Sequence, residues 1–288
     1  MSNDNKIIII GAGQASVYAV SEFRKHNKEA AITIFSEEDY FPYERPPLSK
    51  DFLMNKKKED EFLFFSKDFF NKHNVQCINK KIIKVDLINK LVFVDDNSQF
   101  SYDKLLISTG STNRLLKVDD EIDDKILYLR NIDDAKKIKN KILKVNNIAI
   151  IGGGFIGLEI ASSLNQQNKS ISIIEISDQL MNRIVPSKIA NLVKDEHEKN
   201  RNKLFMNSKI KNIKKINENF KISLEDGNII EAEMIIAGIG SLPTDDLFVD
   251  TDLRIENGIL TDEFCQTSVN DVYAAGDVSN FYHPLYKK

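Results

Sequence analysis

Two unbroken apolar runs, Ile7 to Ile10 and Ile148 to Ile151, each break into a glycine-rich turn, and each turn is followed by a helical pattern and then a second apolar run. Continuous rather than alternating apolar character marks strands covered on both faces, as in parallel sheets. The pattern predicts strands over 6–10 and 31–35 around a helix over 16–26. It predicts a second set with a strand ending at Ile151, a helix over 155–166 and a strand over 170–175. Each set is a βαβ unit. Short β runs follow the first unit at 82–85, 91–94 and 104–108, with Asp95-Asp96-Asn97-Ser98 as a turn, and more β pattern fills 203–240. Asn131 is placed to cap a helix reaching Val145, with Asp133 and Asp134 in its positive first turn. Pro186 opens another helix, in which Ile189, Leu192 and Val193 share a face. The run Lys56-Lys57-Lys58 is flanked by acids and reads as a solvated loop.

The two turns carry candidate chemistry. Gly11-Ala12-Gly13 leads to Ser16, and Gly152-Gly153-Gly154 leads to Gly157. In such a turn the first glycine allows the sharp reversal, the second lets a pyrophosphate approach the backbone, and the third lets helix and strand pack closely. The second copy is complete, whereas Ser16 stands at the third position of the first. Each copy is followed by a carboxylate, Glu37 and Glu175, near the offset of about 20 residues at which an acid accepts hydrogen bonds from ribose hydroxyls. Glu38 and Asp39 compete with Glu37 for that role. A solvated strand end is the plain alternative for either acid. An acid at Glu175 repels a 2′-phosphate, and Ile176, Ser177 and Asp178 offer no arginine to neutralise one, so the second copy favours NADH over NADPH. One chain is thus expected to hold two dinucleotides.

Composition narrows the field. The 288 residues have 42% apolar and 29% charged content and a formal net charge of -3, which serves neither nucleic acid nor an anionic membrane. The first six residues, polar after Met1, lack the features of a signal peptide, and no apolar run reaches the roughly 18 residues of a membrane span, so a cytoplasmic location is expected. Cys77 and Cys265 stand far apart in no metal-ligand or redox spacing and are expected to be inert packing residues. No metal is implied. His26, His73, His197 and His283 are scattered, and none is a candidate catalytic base.

Three further segments sharpen the reading: Tyr43-Glu44-Arg45-Pro46-Pro47-Leu48-Ser49-Lys50, the stretch from Tyr102 to Gly110 ending Ile107-Ser108-Thr109-Gly110, and Val272-Tyr273-Ala274-Ala275-Gly276-Asp277. With the two glycine turns in this order, the chain resembles the FAD-dependent pyridine nucleotide-disulfide oxidoreductases, specifically the NADH-dependent ferredoxin reductase branch of putidaredoxin and rubredoxin type. The resemblance covers essentially the whole chain.

It implies an α/β fold of two Rossmann-like domains with inserted antiparallel β material, the second nested within the first. The FAD-binding domain is expected over 1–115 and 243–288, and the NAD-binding domain over 116–242. By the same resemblance, Gly11, Gly13, Ser16, Glu37, Thr109, Gly110, Gly276 and Asp277 serve FAD, with the backbone of Ile82 beside adenine. Gly152, Gly154, Gly157 and Glu175 serve NADH, and Gly240 lies on the return crossing, where Thr244 replaces the asparagine usual after Pro243. Lys50 is implied to reach the flavin ring and stabilise its reduced form, with Glu159 orienting Lys50 beside the nicotinamide. A surface lysine and a first-turn glutamate are the plain alternatives. Arg45 is placed to touch either cofactor or solvent.

The resemblance implies hydride transfer from NADH to FAD and electron delivery to a ferredoxin- or rubredoxin-like iron-sulfur acceptor. The segment from Glu44 to Lys50 holds no cysteine, which sets aside the thiol-using relatives. Monodehydroascorbate, a quinone or oxygen remain alternative acceptors. The resembling reductases carry a further C-terminal domain after the segment matching Asp277, and this chain ends soon after it, at Lys288. A shortened chain is therefore expected, and a non-catalytic fragment stays an alternative.

Overall fold

The computed structural model describes residues 6–182 and 184–286. In chain order its two parallel sheets and their helices are β1 (Lys6–Ile10), α1 (Gln14–His26), β2 (Ala31–Ser36), β3 (Val75–Asn79) and β4 (Lys104–Ile107); α2 (Ile132–Ile142), β5 (Asn147–Ile151), α3 (Phe155–Asn165), β6 (Ser170–Ile174), α4 (Ser187–Lys199), β7 (Lys203–Phe205) and β8 (Met234–Ala237); and finally β9 (Val272–Ala274). The chain divides into two compact units, one formed by 1–44, 62–112 and 242–288, the other by 45–61 and 113–241.

The first unit holds a five-stranded sheet in the order β9-β4-β1-β2-β3, with every pairing parallel. An antiparallel sheet of Ile82–Asp86, Leu91–Val94 and Gln99–Ser101 packs with it through Phe35, Val92, Val94, Leu105 and Ile107. Val75 to Asn79 is the parallel edge strand of the main sheet, so only part of the β pattern after residue 75 forms the antiparallel insertion. At the end of α1, Arg24 is 4% exposed and its guanidinium donates to the carbonyls of His73 and Ala30, each at 2.7 Å, and of Asn74 at 3.1 Å. Burial lowers the guanidinium's pKa, and the backbone oxygens replace the water it gives up.

In the second unit a four-stranded parallel sheet runs β7-β6-β5-β8, and an antiparallel sheet of Ile210–Ile216, Asn219–Leu224 and Ile229–Ala232 packs beside it through Ile213, Phe220 and Ile222. Helix α2 starts with the expected cap: Asn131 Oδ1 accepts from the Asp134 amide at 2.8 Å, and Asp134 Oδ2 accepts from the Asn131 amide at 3.4 Å. Segment 45–61 belongs to this unit because its side chains are tied to α2 and α3. Lys136 pairs with Glu59 at 2.7 Å, and the Lys139 ammonium lies 4.0 Å from the Phe52 ring centroid.

The face of α4 that carries Ile189 and Leu192 is exposed, while Ala190 and His197 are buried instead. The helix approaches its neighbours through a small residue, which places the larger apolar pair one position off the inward side. Both cysteines lie at the surface, contrary to the expectation of packing residues, though desolvation around Cys77 pushes its thiol up to about 11. Among the described residues no helix is long and apolar enough to cross a membrane, and no group of three His, Cys, Asp or Glu is placed to hold a metal ion.

Candidate functional site

In the first unit the expected residues gather at the carboxyl ends of β1, β2, β4 and β9, the side of a parallel sheet where ligands bind. Gly11 adopts φ +103° and its amide bonds to the Phe35 carbonyl at 2.8 Å; a Cβ there would stand 2.3 Å from the Ser108 carbonyl oxygen. The protein's own backbone therefore requires this glycine. Gly13 differs. Its φ of −88° suits any residue, and nothing lies within 4 Å of where a Cβ would stand. No part of the protein demands a glycine there, whereas a group approaching the backbone from outside would.

Ser16 fits without the third glycine because its buried hydroxyl donates to the Gly11 carbonyl at 2.6 Å and lies 2.8 Å from the Ser108 hydroxyl. On β4 and β9 the chain ends in Thr109-Gly110 and Gly276-Asp277. Thr109 donates to the Thr244 carbonyl at 2.6 Å, and the Thr244 amide donates to the Gly110 carbonyl at 2.9 Å, so threonine closes this crossing. Gly276 has φ +85°, and a Cβ there would stand 3.2 Å from the Ala15 Cβ at the start of α1; Ser111 donates to Asp277 Oδ2 at 2.9 Å.

The acid after β2 is placed differently from the simplest expectation. Phe35 accepts from Gly11 as Ile174 accepts from Gly152, which makes Ser36, not Glu37, the counterpart of Glu175. Glu37 is 65% exposed and pairs with Lys81 at 3.3 Å. Glu38 and Asp39 instead line a cavity of about 280 Å³ with Ala12, Ser36 and Asn79, and Glu38 accepts from the Tyr43 hydroxyl at 2.5 Å. Ile82 is not part of that lining; its side chain lies in the core at the start of the antiparallel sheet.

The second unit repeats the design around a cavity of about 800 Å³. Gly152, Gly153, Gly154, Glu175 and Gly240 line it. Gly152 has φ +107°, and a Cβ there would meet the Gly238 carbonyl oxygen at 2.3 Å; a Cβ on Gly157 would meet the Gly152 carbonyl oxygen at the same distance. Gly154, like Gly13, is not demanded by packing: its φ is −81°, and the nearest atom to an added Cβ is 4.0 Å away. The Glu175 carboxylate accepts from the Gly153 amide at 2.6 Å and the Ser177 amide at 2.8 Å, which fixes a negative charge on the cavity wall. Gly240 adopts φ +105° and its carbonyl accepts from the Arg114 amide at 2.9 Å.

The amino ends of α1 and α3 share a property that α2 lacks. Neither has a side-chain cap or an acid in its first turn, whereas α2 is capped by Asn131 and carries Asp133 and Asp134. Helix α4, opened by Pro186, also lacks a side-chain cap, but among these helices only α1 and α3 begin on a glycine and keep their amides and positive partial charge clear for an anion from outside. With Gly13 and Gly154 clear beside them, the residues present fit two pyrophosphates.

Lys50 and Glu159 meet. Lys50 Nζ lies 2.8 Å from Glu159 Oε1, and the Ser49 hydroxyl donates to Glu159 Oε2 at 2.6 Å. Arg45 is half-buried and donates to the Arg130 carbonyl at 2.6 Å.

A family model described as pyridine nucleotide-disulphide oxidoreductase matches residues 5–287. The chain belongs to this family. Rubredoxin-NAD(+) reductase of Pseudomonas putida is 33% identical, over 94% of this chain and 71% of its own length. Monodehydroascorbate reductase 3 of Arabidopsis thaliana is 34% identical, over 98% of this chain and 68% of its own. Among solved structures, the covalent putidaredoxin reductase-putidaredoxin complex superposes with a TM-score of 0.93 at 25% identity, covering 99% of this chain and 70% of that one. As a family member the chain is an NAD(H)-dependent flavoprotein oxidoreductase, and its two parallel sheets have the family's α/β architecture.

Two side chains that hold the Lys50 segment, Ser49 and Ser163, were not singled out by reading motifs. Ser49 lies within the Tyr43–Lys50 segment but was given no role of its own, and Ser163 follows Glu159 by four residues, the spacing that puts both on one face of α3. Glu38 stood among the competing acids after β2, and its place in the cavity lining is what separates it from Glu37.

Proposed function

We propose that this chain takes a hydride from NADH onto bound FAD and passes electrons to a ferredoxin- or rubredoxin-like iron-sulfur protein. The observation that carries the reading is the pair of uncapped, glycine-cleared helix ends, one in each unit, on a chain whose 44–50 segment has no cysteine to divert the electrons into thiol chemistry. The iron-sulfur acceptor follows from what the relatives reduce by name.

We assign the unit formed by 1–44, 62–112 and 242–288 to FAD, and the unit formed by 45–61 and 113–241 to NADH. Gly11, Gly13 and the amino end of α1 hold the FAD pyrophosphate, with Glu38 rather than the outward-turned Glu37 as the ribose carboxylate and Asp277 at the ribityl chain. Gly152, Gly154 and the amino end of α3 hold the NADH pyrophosphate. Gly157 lets that helix approach, and Glu175 accepts from ribose hydroxyls through lone pairs its backbone bonds leave open. The charge of Glu175 opposes a 2′-phosphate and favours NADH.

FAD, when bound, supplies a carrier that accepts two electrons together and releases them singly. The protein's part is to hold both nucleotides, exclude water and place one positive charge. Lys50, fixed by Glu159, is our candidate for the charge that stabilises reduced flavin. Use of NADH fits a cytoplasmic location.

Anaerobic titration of the purified yellow protein with NADH tests the first half: the flavin absorbance is expected to bleach with one NADH per flavin, and a protein that stays oxidised or carries no flavin refutes it. A second reading, in which the acceptor is monodehydroascorbate, is supported by the 34% identity to the plant enzyme. Comparing turnover with ferredoxin-coupled cytochrome c and with ascorbate radical separates the two.

A further inference from the structure

Helix α3 is apolar along most of its length, yet Glu159, Ser163 and Gln167 follow one another at intervals of four residues, in line along one side of the helix and the turn after it. All three reach the segment from Ser49 to Leu53. Glu159 accepts from Ser49 Oγ at 2.6 Å and pairs with Lys50 at 2.8 Å. Ser163 Oγ donates to the Ser49 carbonyl at 2.6 Å, and Gln167 Nε2 lies 3.4 Å from the Leu53 carbonyl. Ser163 and Ser49 are 3% and 5% exposed.

A buried serine in a helix ordinarily returns its hydroxyl to the carbonyl one turn back. Ser163 instead uses its hydrogen on another segment. The Ser49 hydroxyl has two acceptors in reach, Glu159 Oε2 at 2.6 Å and Pro46 O at 3.4 Å, and the shorter contact takes the proton. Glu159 is therefore gripped at both oxygens, by Ser49 on one and Lys50 on the other, while Ser163 fixes the backbone from which both Ser49 and Lys50 project. Sliding the segment by one residue leaves two buried hydroxyls and one carbonyl unpaired.

We propose that Ser163 and Ser49 are positioning residues for the Lys50–Glu159 pair: they set the register and the rotamer in which the lysine is presented to the flavin. The inference rests on the reading of Lys50 and Glu159 given above.

The test compares Ser49→Ala, Ser163→Ala, their threonine counterparts, Glu159→Gln and Gln167→Ala in the FAD-loaded protein. It measures the limiting rate of anaerobic flavin reduction, the NADH dissociation constant, the visible spectrum and midpoint potential of bound flavin, and the melting temperature. Ser49→Ala and Ser163→Ala are expected to slow flavin reduction about tenfold, the equivalent of one hydrogen bond in a charged network. They are also expected to lower the midpoint potential, shift the flavin spectrum and leave NADH affinity unchanged, with threonine restoring each property. Gln167→Ala, which loosens only the far end of the stripe, is expected to lower the melting temperature without these effects.

Wild-type rates and spectra in both alanine variants, beside a slowed Glu159→Gln, overturn the positioning role alone. A Glu159→Gln protein at the wild-type rate overturns the reading of the pair and this inference with it. Equal loss in Gln167→Ala and Ser163→Ala reduces the stripe to a structural clamp and refutes the proposal. Should Ser163→Ala fail to fold, Ser49→Ala, which leaves the backbone anchor intact, decides the question.

Discussion

Gly154 and Gly157 stand in the same turn and are glycines for different reasons, so alanine at each is expected to fail in a different way. On Gly157 a Cβ would stand 2.3 Å from the Gly152 carbonyl oxygen and 3.3 Å from Ile150 Cγ2, and backbone has to move to make room. Overpacking of this kind costs about 1–3 kcal/mol, and for a unit of this size that lowers the melting temperature by about 3–9 °C. On Gly154 the added Cβ meets nothing closer than 4.0 Å, and φ is already −81°. Losing glycine at a helix cap position costs about 0.5–1 kcal/mol at most, so melting barely moves. The Cβ does occupy the space through which a pyrophosphate would reach the first amides of α3. Loss of one charge-assisted hydrogen bond, about 1.5–3 kcal/mol, raises the NADH dissociation constant by about 10- to 150-fold. Calorimetric melting and fluorescence titration with NADH measure both quantities on both variants. A Gly154→Ala protein that binds NADH within about twofold of the parent refutes the assignment of this turn to the pyrophosphate.

Glu175→Ala is expected to weaken NADH binding by at least about tenfold through loss of ribose hydrogen bonds, and to narrow the preference over NADPH; parallel titrations with both nucleotides check this, and an unchanged NADH/NADPH ratio contradicts it. Arg24→Lys cannot reach the His73, Ala30 and Asn74 carbonyls with one ammonium and is expected to cost about 2–4 kcal/mol in urea unfolding; a loss below about 1 kcal/mol shows the guanidinium to be dispensable. His197 is 8% exposed, with Nδ1 2.9 Å from Asn202 Nδ2, and burial lowers its pKa. Above the unfolded value both states are neutral and the group contributes nothing. As pH falls below about 6.5 the unfolded chain takes up a proton that the folded chain refuses, and stability falls by up to about 1.4 kcal/mol per pH unit. Urea midpoints at pH 7.5 and 5.5 are expected to converge in His197→Gln; an unchanged acid slope assigns the loss to other groups.

The glycine turns were legible because several distinct demands, conformation at Gly11 and Gly152 and packing at Gly157, fall within one short stretch, and the buried β1 and β5 announce themselves by continuous apolar residues. Asn131 was legible for a similarly local reason, since a cap acts within three residues. What stayed hidden is nonlocal. Of the contacts that tie residues 45–61 to a unit whose main body begins at residue 113, only Lys50 with Glu159 was indicated, through the resemblance; the partners Lys136 and Lys139 carry no such signal and lie far downstream. The identity of the acid after β2 depended on the register between Phe35 and Gly11, one residue off the nearest motif match. On α4 the inward side is marked by the small Ala190, while Ile189 and Leu192 attract the eye and face out.

In the first sheet, β4 lies between β1 and β9, and β9 is drawn from residues 272–274, made long after its neighbours. As the chain emerges from the ribosome, the outer edge of β4 waits with its amides and carbonyls unpaired while well over a hundred residues are still to be synthesised. An unoccupied strand edge recruits whatever extended chain is near. The nascent protein is thus exposed to mispairing along Lys104 to Ile107, and ribosome release short of residue 274 leaves a product whose β4 edge is open to any passing strand.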